Sequence, residues 1–521
     1  MSLRFPRLQR ALASISRRQT LCCCGAAALV LVVRAALLPI WQPPVPTIYD
    51  EFSYLLQADT FAHGRVTNSS HPMWQFFESI YILQKPTYAS KYPPGQSLAM
   101  ALGEHVFGHP WFGVWLSCGA MAAALCWALQ GFLPPASALL GAAISLQLCF
   151  FGYWMNSYWG GAVAALVGAL VVGAYARITV GVTRRRASGS AFYACILGLG
   201  AVGLMYTRPF EGLLLVVPVL AVLLRADRTP QVWLPILLIG AAGGGWLGYY
   251  NYRVTGNALL MPYQEYFNQY ETTPPFNVMS LAPANSRTFR HFDFEFLDKG
   301  WALETWNTAR SRRFPIKRAR DLYQALKTIL GSPLWIAPLI VFAPRLFRSR
   351  RTRLLAWLAV AWLAGSLITV PYYPHYAAPF TAVILILTVQ ALRSIRPVVP
   401  LLAAVIFAYL LWTDASQIYR HRTPDAYRAV NGKKGDIERR LAAQSPGRHV
   451  IFVHYTGGHS PHEEWIYNLA DIDAAPVVWA QDMGDAENRR LIRYYPGRAF
   501  WRFEPDESPD NLIHYAPSGG N

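Results

Sequence analysis

Long apolar runs, each approaching the ~20 residues that a helix needs to cross a bilayer, recur along this chain and leave few folds open to it. The first lies at about 21–41. Others follow at about 110–130, 135–152, 160–177, 191–206, 211–225 and 231–250, then at about 327–344, 354–371, 375–392 and 397–413. Only 15% of the 521 residues are charged and 53% are hydrophobic, a balance foreign to soluble globular chains. The runs are continuous rather than alternating, which excludes a transmembrane β-barrel. The fold expected is a polytopic α-helical membrane protein of about eleven transmembrane helices.

The formal net charge of +18 has its source in arginines gathered in short gaps between the runs. Arg177 with Arg184, Arg185 and Arg186, Arg225 with Arg228, the cluster from Arg345 to Arg353, and Arg393 with Arg396 alternate along the chain as the positive-inside rule requires. This pattern puts the basic residues 1–20 in the cytoplasm. It also removes the case for nucleic acid, since no basic face on a soluble domain accompanies the charge. Ser16-Arg17-Arg18-Gln19-Thr20-Leu21 resembles a twin-arginine export signal but reads better as the basic flank of a first membrane helix. The seven cysteines all sit in or beside apolar runs, so they read as small packing residues and not as a disulfide framework.

The alternation leaves 42–109 and 251–326 as long exported loops. Within the first, Phe52 to His63 reads as a helix lying along the membrane surface, with Phe52, Leu55, Leu56 and Ala62 on one face. Gly95 to Phe107 reads as a shorter interfacial or re-entrant helix. Residues 1–413 form the membrane domain. An odd number of crossings puts 414–521 outside, where helix and strand patterns alternate (Ile437–Ala443, His449–His454, Val477–Ala480, Asp485–Tyr494, Ala499–Phe503). That alternation predicts a small α/β domain.

The chemistry centres on Asp50 and Glu51, two adjacent carboxylates some eight residues beyond the first run. Carboxylates are costly in hydrocarbon, so a pair at its lip must face water, a cation or a reaction. Asp50 reads as a general base or as the cap of the helix that follows. Glu51 orients an acceptor, binds a metal or is solvated. The same side collects Glu78, Lys85, Lys91, Arg208, Glu211 and His375. Arg34, inside the first run, either snorkels to the headgroups or faces a lipid phosphate. Arg208 either meets a phosphate or pairs with Glu211. Tyr158 and Trp159 suit a sugar or an interfacial aromatic belt. In the tail, His454, His459, His462, Glu463 and Glu464 stand close enough in sequence to supply metal ligands or merely to form a polar connection.

These residues resemble the GT-C glycosyltransferase superfamily, with the protein O-mannosyltransferases and the aminoarabinose transferases of lipid A nearest in pattern. In that superfamily an Asp, often followed by Glu, stands in the first exported loop and acts on the acceptor. Asp50-Glu51 matches it in type and position. Lys91-Tyr92-Pro93-Pro94-Gly95 resembles a Lys-Pro-Pro motif whose Lys contacts the donor phosphate; Tyr92 is inserted here, and Lys85 competes for the role. Tyr373-Pro374-His375-Tyr376 with Pro379 resembles the (Arg/His)-Tyr-x-x-Pro pattern near a late span. The resemblance covers roughly 20–395.

It implies a glycosyltransferase that takes a hexosyl or pentosyl unit from a polyprenyl-phosphate donor to a glycan, lipid or protein acceptor at the outer face. One base opposite the leaving phosphate implies inversion. Asp50 and Glu51 would be catalytic. Lys91, Arg208, Arg34, Lys85, His375 and Tyr376 would serve the donor phosphate and lipid. Tyr54, Glu78, Tyr158, Trp159, Glu211 and Tyr373 would line the acceptor or sugar. No cofactor is certain from the resemblance, and a divalent metal stays open. The arginine-rich pattern places the chain in a bacterial inner membrane. A transporter or flippase is the rival reading, disfavoured because no inverted repeat is present and most ionisable residues lie at the outer edge. A non-catalytic binder of lipid-linked sugars is the other.

Overall fold

The computed structural model describes residues 16–150, 152–179, 187–283, 286–395, 430–457, 459–460, 463–507 and 512–516, with Ser14, Ala408 and Trp412. Among them, seven helices are long and apolar enough to cross a membrane. They are α1 (Gln19–Ala36), α4 (Trp111–Phe132), α6 (Ala162–Thr179), α7 (Ala187–Thr207), α8 (Pro209–Ala226), α9 (Pro230–Thr255) and the run Pro374–Ile395, whose regular core is α14 (Thr381–Leu392). Two shorter apolar helices, α5 (Pro135–Phe150) and α13 (Arg353–Ser366), fill two more of the expected positions. The chain is thus a multi-span helical membrane protein, as its sequence requires. The run at 397–413 lies outside the described residues.

One run departs from expectation. The stretch at 327–344 is not a single span: α11 (Phe314–Leu330) and the segment Pro333–Val341, which contains α12 (Ile336–Val341), meet at a bend of 99°. Gly331 adopts φ +75°, and Pro333 and Pro338 cannot donate to a helical ladder, so the chain turns there.

The helix after the first span, α2 (Tyr49–Ala62), was expected on the membrane surface but is buried over most of its length. Its polar residues bond inward. The Ser53 hydroxyl donates to Tyr81 O at 2.6 Å, Gln57 Nε2 donates to the Tyr250 hydroxyl at 2.6 Å, and Thr60 Oγ1 receives Asn68 Nδ2 at 2.8 Å. These groups look like a solvent face in sequence because these partners lie outside the helix, those of Ser53 and Gln57 far along the chain.

Helix α3 (Gly95–Phe107) has the predicted bounds. A Cβ at Gly95 would lie 2.5 Å from Thr207 Cγ2 and 2.8 Å from Tyr206 O. The start of α3 therefore rests on the end of α7, which brings 91–94 beside Arg208. Before α3, three short strands, β1 (Asn68–Ser69), β2 (Ile82–Leu83) and β3 (Thr87–Ser90), form an antiparallel sheet in the order β1-β3-β2. Strands this short carry no alternation to read.

The tail matches its predicted elements closely. Helix α15 (Val430–Gln444) precedes β4 (His449–Val453), β5 (Val477–Gln481), α16 (Asp485–Tyr494), β6 (Ala499–Phe503) and a further strand, β7 (Leu512–His514). The sheet order is β5-β4-β6-β7, parallel except for β7. Its core is shared with the loop 42–109: Leu56, Phe76, Phe77, Ile82 and Tyr88 pack with Val450, Phe452 and Val478. Tail and loop therefore lie on one side of the bundle.

Because a side chain at Gly95 must displace backbone, Gly95→Val is expected to destabilise the protein by ~1–3 kcal/mol. The check is a lower melting temperature in detergent; an unchanged one would contradict the contact with Tyr206 and Thr207.

Candidate active site

Asp50 is the second residue of α2, and its side chain opens on a cavity of about 530 Å³. Tyr54 and Tyr92, the cations Lys91 and Arg208, Glu211, Tyr373 and Tyr376 share the wall. Tyr263, on helix α10 (Pro262–Tyr270), closes it from the loop 251–326 together with Glu271, Phe276 and Trp301. The sequence elements that resemble the three superfamily motifs thus meet in one place. No described tail residue lines the cavity.

The capping role belongs to Glu51 and not to Asp50. Ile48 is the N-cap, so Glu51 stands three residues on, where a carboxylate reaches back over the helix start. Its Oε2 accepts from Thr47 N at 2.7 Å and its Oε1 from Tyr158 N at 2.9 Å. Both oxygens accept from backbone N–H groups, and Glu51, expected beside Asp50 in the chemistry, is not among the residues that line the cavity. The same contact accounts for Tyr158, whose hydroxyl donates to Pro44 O at 2.8 Å outside the cavity.

Asp50 is thereby left to the cavity. Tyr92 donates its hydroxyl to Asp50 Oδ1. Burial pushes the Asp50 carboxyl above the usual aspartate range, while the Tyr92 hydrogen bond and the charges of Lys91 and Arg208 pull it back.

Lys91 is buried in a cage of phenol rings. Its Nζ lies 3.5 Å from the centroid of Tyr81, 4.7 Å from Tyr266 and 4.9 Å from Tyr263, and pairs with Glu271 Oε1 at 2.8 Å. Burial depresses its pKa, and Glu271 and Asp50 oppose that. Arg208 lies over the ring of Tyr376 at 4.5 Å. Tyr376 is held by its neighbour His375, which is buried, bonded to the Tyr153 hydroxyl through Nδ1 at 2.8 Å and flanked by Trp159 at 4.7 Å. His375 and Trp159 therefore stand behind the wall, and Tyr373 and Tyr376 form it.

Three further expected residues lie elsewhere. Arg34 is buried within the bundle, bonded to Trp41 O at 2.8 Å and stacked on Trp111 at 4.5 Å, so neither snorkelling nor a lipid phosphate engages it. Lys85 is exposed over Trp74. Glu78 pairs with Arg290 at 3.0 Å and His291 at 3.2 Å. All three are absent from the cavity wall.

The tail's ligand-type residues do not converge. His454 pairs with Asp482 and His459 with Asp506, while Glu464 Oε2 accepts from Ser79 Oγ at 3.1 Å; His462 lies outside the described residues. Among the described residues, Asp59, His63 and Glu104 do bring three such groups together, at the end of α2 remote from Asp50. Sequence reasoning missed Glu271 and the cage of Tyr81, Tyr263 and Tyr266. The only signal was the aromatic content of the loop 251–326.

No protein-family model matches the chain, and no curated protein sequence matches it. Among solved structures it is similar to ArnT from Cupriavidus metallidurans, with 14% identity, 93% of this chain and 94% of that one covered, and a TM-score of 0.49. It is also similar to the oligosaccharyltransferase of Archaeoglobus fulgidus, with 14% identity, 86% of this chain covered and a TM-score of 0.45; the chain spans 63% of that protein's length.

Glu51→Ala leaves two backbone N–H groups without their acceptor, at roughly 1–3 kcal/mol each. Thermal unfolding in detergent is expected to fall accordingly, with activity per folded molecule largely retained. A variant of normal stability and no activity would return Glu51 to the chemistry.

Proposed function

We propose that this chain is a membrane glycosyltransferase of the GT-C type. It takes a sugar from a polyprenyl-phosphate donor and passes it, with inversion, to an acceptor hydroxyl at the outer face of a bacterial inner membrane. The exported α/β tail, about 414–521, braces the first loop. The observation that carries this reading is the meeting of Asp50 with Lys91 and Arg208 around one cavity lined by phenols and apolar side chains. The cavity's size suits a sugar phosphate and the first part of a lipid.

In this reading the acceptor oxygen attacks the anomeric carbon and its proton passes to Asp50. The bond from that carbon to the phosphate oxygen breaks, and polyprenyl phosphate leaves. Arg208 and Lys91 stabilise the charge that develops on the phosphate. Lys91 is already paired with Glu271, so Arg208 is the principal contact and Lys91 the second. Tyr373, Tyr376 and Tyr54 offer ring faces and hydroxyls to the sugar.

Asp50→Asn is expected to lower transfer by ~10²-fold or more with the fold intact. Mass spectrometry of envelope glycolipids and glycans from strains carrying each form reads this out. Full transfer by the variant would end the proposal, and labelled lipid moved across the membrane with its glycan unchanged would favour a flippase. A base acts only when ionised, so transfer should fall as pH drops through the pKa of Asp50. Burial sets that acid limb above 3.8, the ordinary aspartate value. A rate independent of pH down to that value would contradict the assignment.

A further inference from the structure

We propose that Tyr92 is a positioning residue for the base: its hydroxyl fixes Oδ1 of Asp50 and leaves Oδ2 to take the acceptor's proton. The inference rests on the reading of Asp50 as base.

Tyr92 is the residue inserted between Lys91 and the two prolines, and its place is set without help from Asp50. Its N–H donates to Ser90 Oγ at 3.0 Å, and its carbonyl accepts from Gln57 Nε2 at 3.1 Å. Its ring stacks on Tyr54 with centroids 4.4 Å apart and planes 15° from parallel, and meets the edge of Tyr81 at 5.9 Å. Pro93 and Pro94 then lead into α3. Backbone, ring and following helix are all anchored, so the hydroxyl is presented from a rigid mount.

The chemistry follows from the direction of the bond. An ionised carboxylate only accepts, and a phenol that donates to it favours the charged form. The charged groups that face Asp50 are Lys91, Arg208 and the adjacent Glu51. The phenols of Tyr54, Tyr81, Tyr263, Tyr373 and Tyr376 also feel its charge, and burial pushes those of Tyr54, Tyr81 and Tyr263 further above the range in which Asp50 titrates. Among the described residues, the side chain that donates a hydrogen bond to the Asp50 carboxylate is that of Tyr92.

Tyr92→Phe keeps the ring and its stack and removes the donor. With the full-length enzyme in native membranes, the acid limb of kcat/KM should move about one pH unit upward. KM for the donor should stay within about twofold, as expected when ground-state binding is untouched. In the Asp50→Asn background Tyr92→Phe should cost nothing further. Replacement of Tyr92 by 3,5-difluorotyrosine, a stronger donor of the same shape, should move the limb the opposite way. An acid limb unmoved by both changes while Asp50→Asn is inactive overturns the role of Tyr92 and spares the base. An active Asp50→Asn variant overturns the base itself.

Discussion

The ion pair of Lys91 with Glu271 is the contact on which the cavity depends. An ammonium as buried as that of Lys91 is sustained only by a partner and by the faces of aromatic rings. Glu271 comes from the loop 251–326, and so do the Tyr263 and Tyr266 rings of the cage. The cost of leaving Lys91 unpaired therefore draws that loop over the first one. Once there, the loop is fastened again by Asp298, whose carboxylate accepts from Thr272 N at 2.7 Å and Thr272 Oγ1 at 2.6 Å. The roof of the site is in this sense folded around a charge.

What the sequence discloses follows from the range over which each signal acts. Apolar runs are local, so the described spans fall where they were expected, as do α3, β4, β5, α16 and β6. Asp50, Lys91, Arg208 and Tyr376 were legible as well, because the charge pattern puts them on one side and each stands in a short motif. Partnership across the fold was not legible. Nothing local distinguishes Glu51, which bonds Tyr158 in another loop, from Asp50, which faces the cavity. Glu271 carries no motif. Arg34 reads as a cation poised for lipid until α4 supplies Trp111 to stack on it. The bend after Leu330 was concealed because apolar residues continue straight through it.

The tail makes its contribution at a distance. Its sheet shares a core with the loop 42–109, and Asp59, near the far end of α2 from Asp50, accepts from Ala470 N at 2.7 Å. The Tyr88 hydroxyl donates to Asn468 O at 2.9 Å. The first contact fixes α2, which carries Asp50, and the second fixes β3, which Lys91 follows. Bracing of this kind holds α2 in place from outside the cavity, which matters because a misplacement of about 1 Å at a reacting group can cost two orders of magnitude in rate.

The charge balance of the wall indicates where a phosphate can rest. Four carboxylates line the cavity, those of Asp50, Glu211, Glu271 and Asp298, against two cations, Lys91 and Arg208. Asp298 is engaged by Thr272 and Glu271 by Lys91. Asp50 and Glu211 then remain against Arg208. In the proposed reaction an anionic headgroup entering such a wall would be repelled except near the guanidinium of Arg208, which lies over the ring of Tyr376. In that reaction the sugar would lie between that phosphate and Asp50, with the base on one side of the anomeric carbon and the leaving group on the other. That opposition is what the proposed inversion requires.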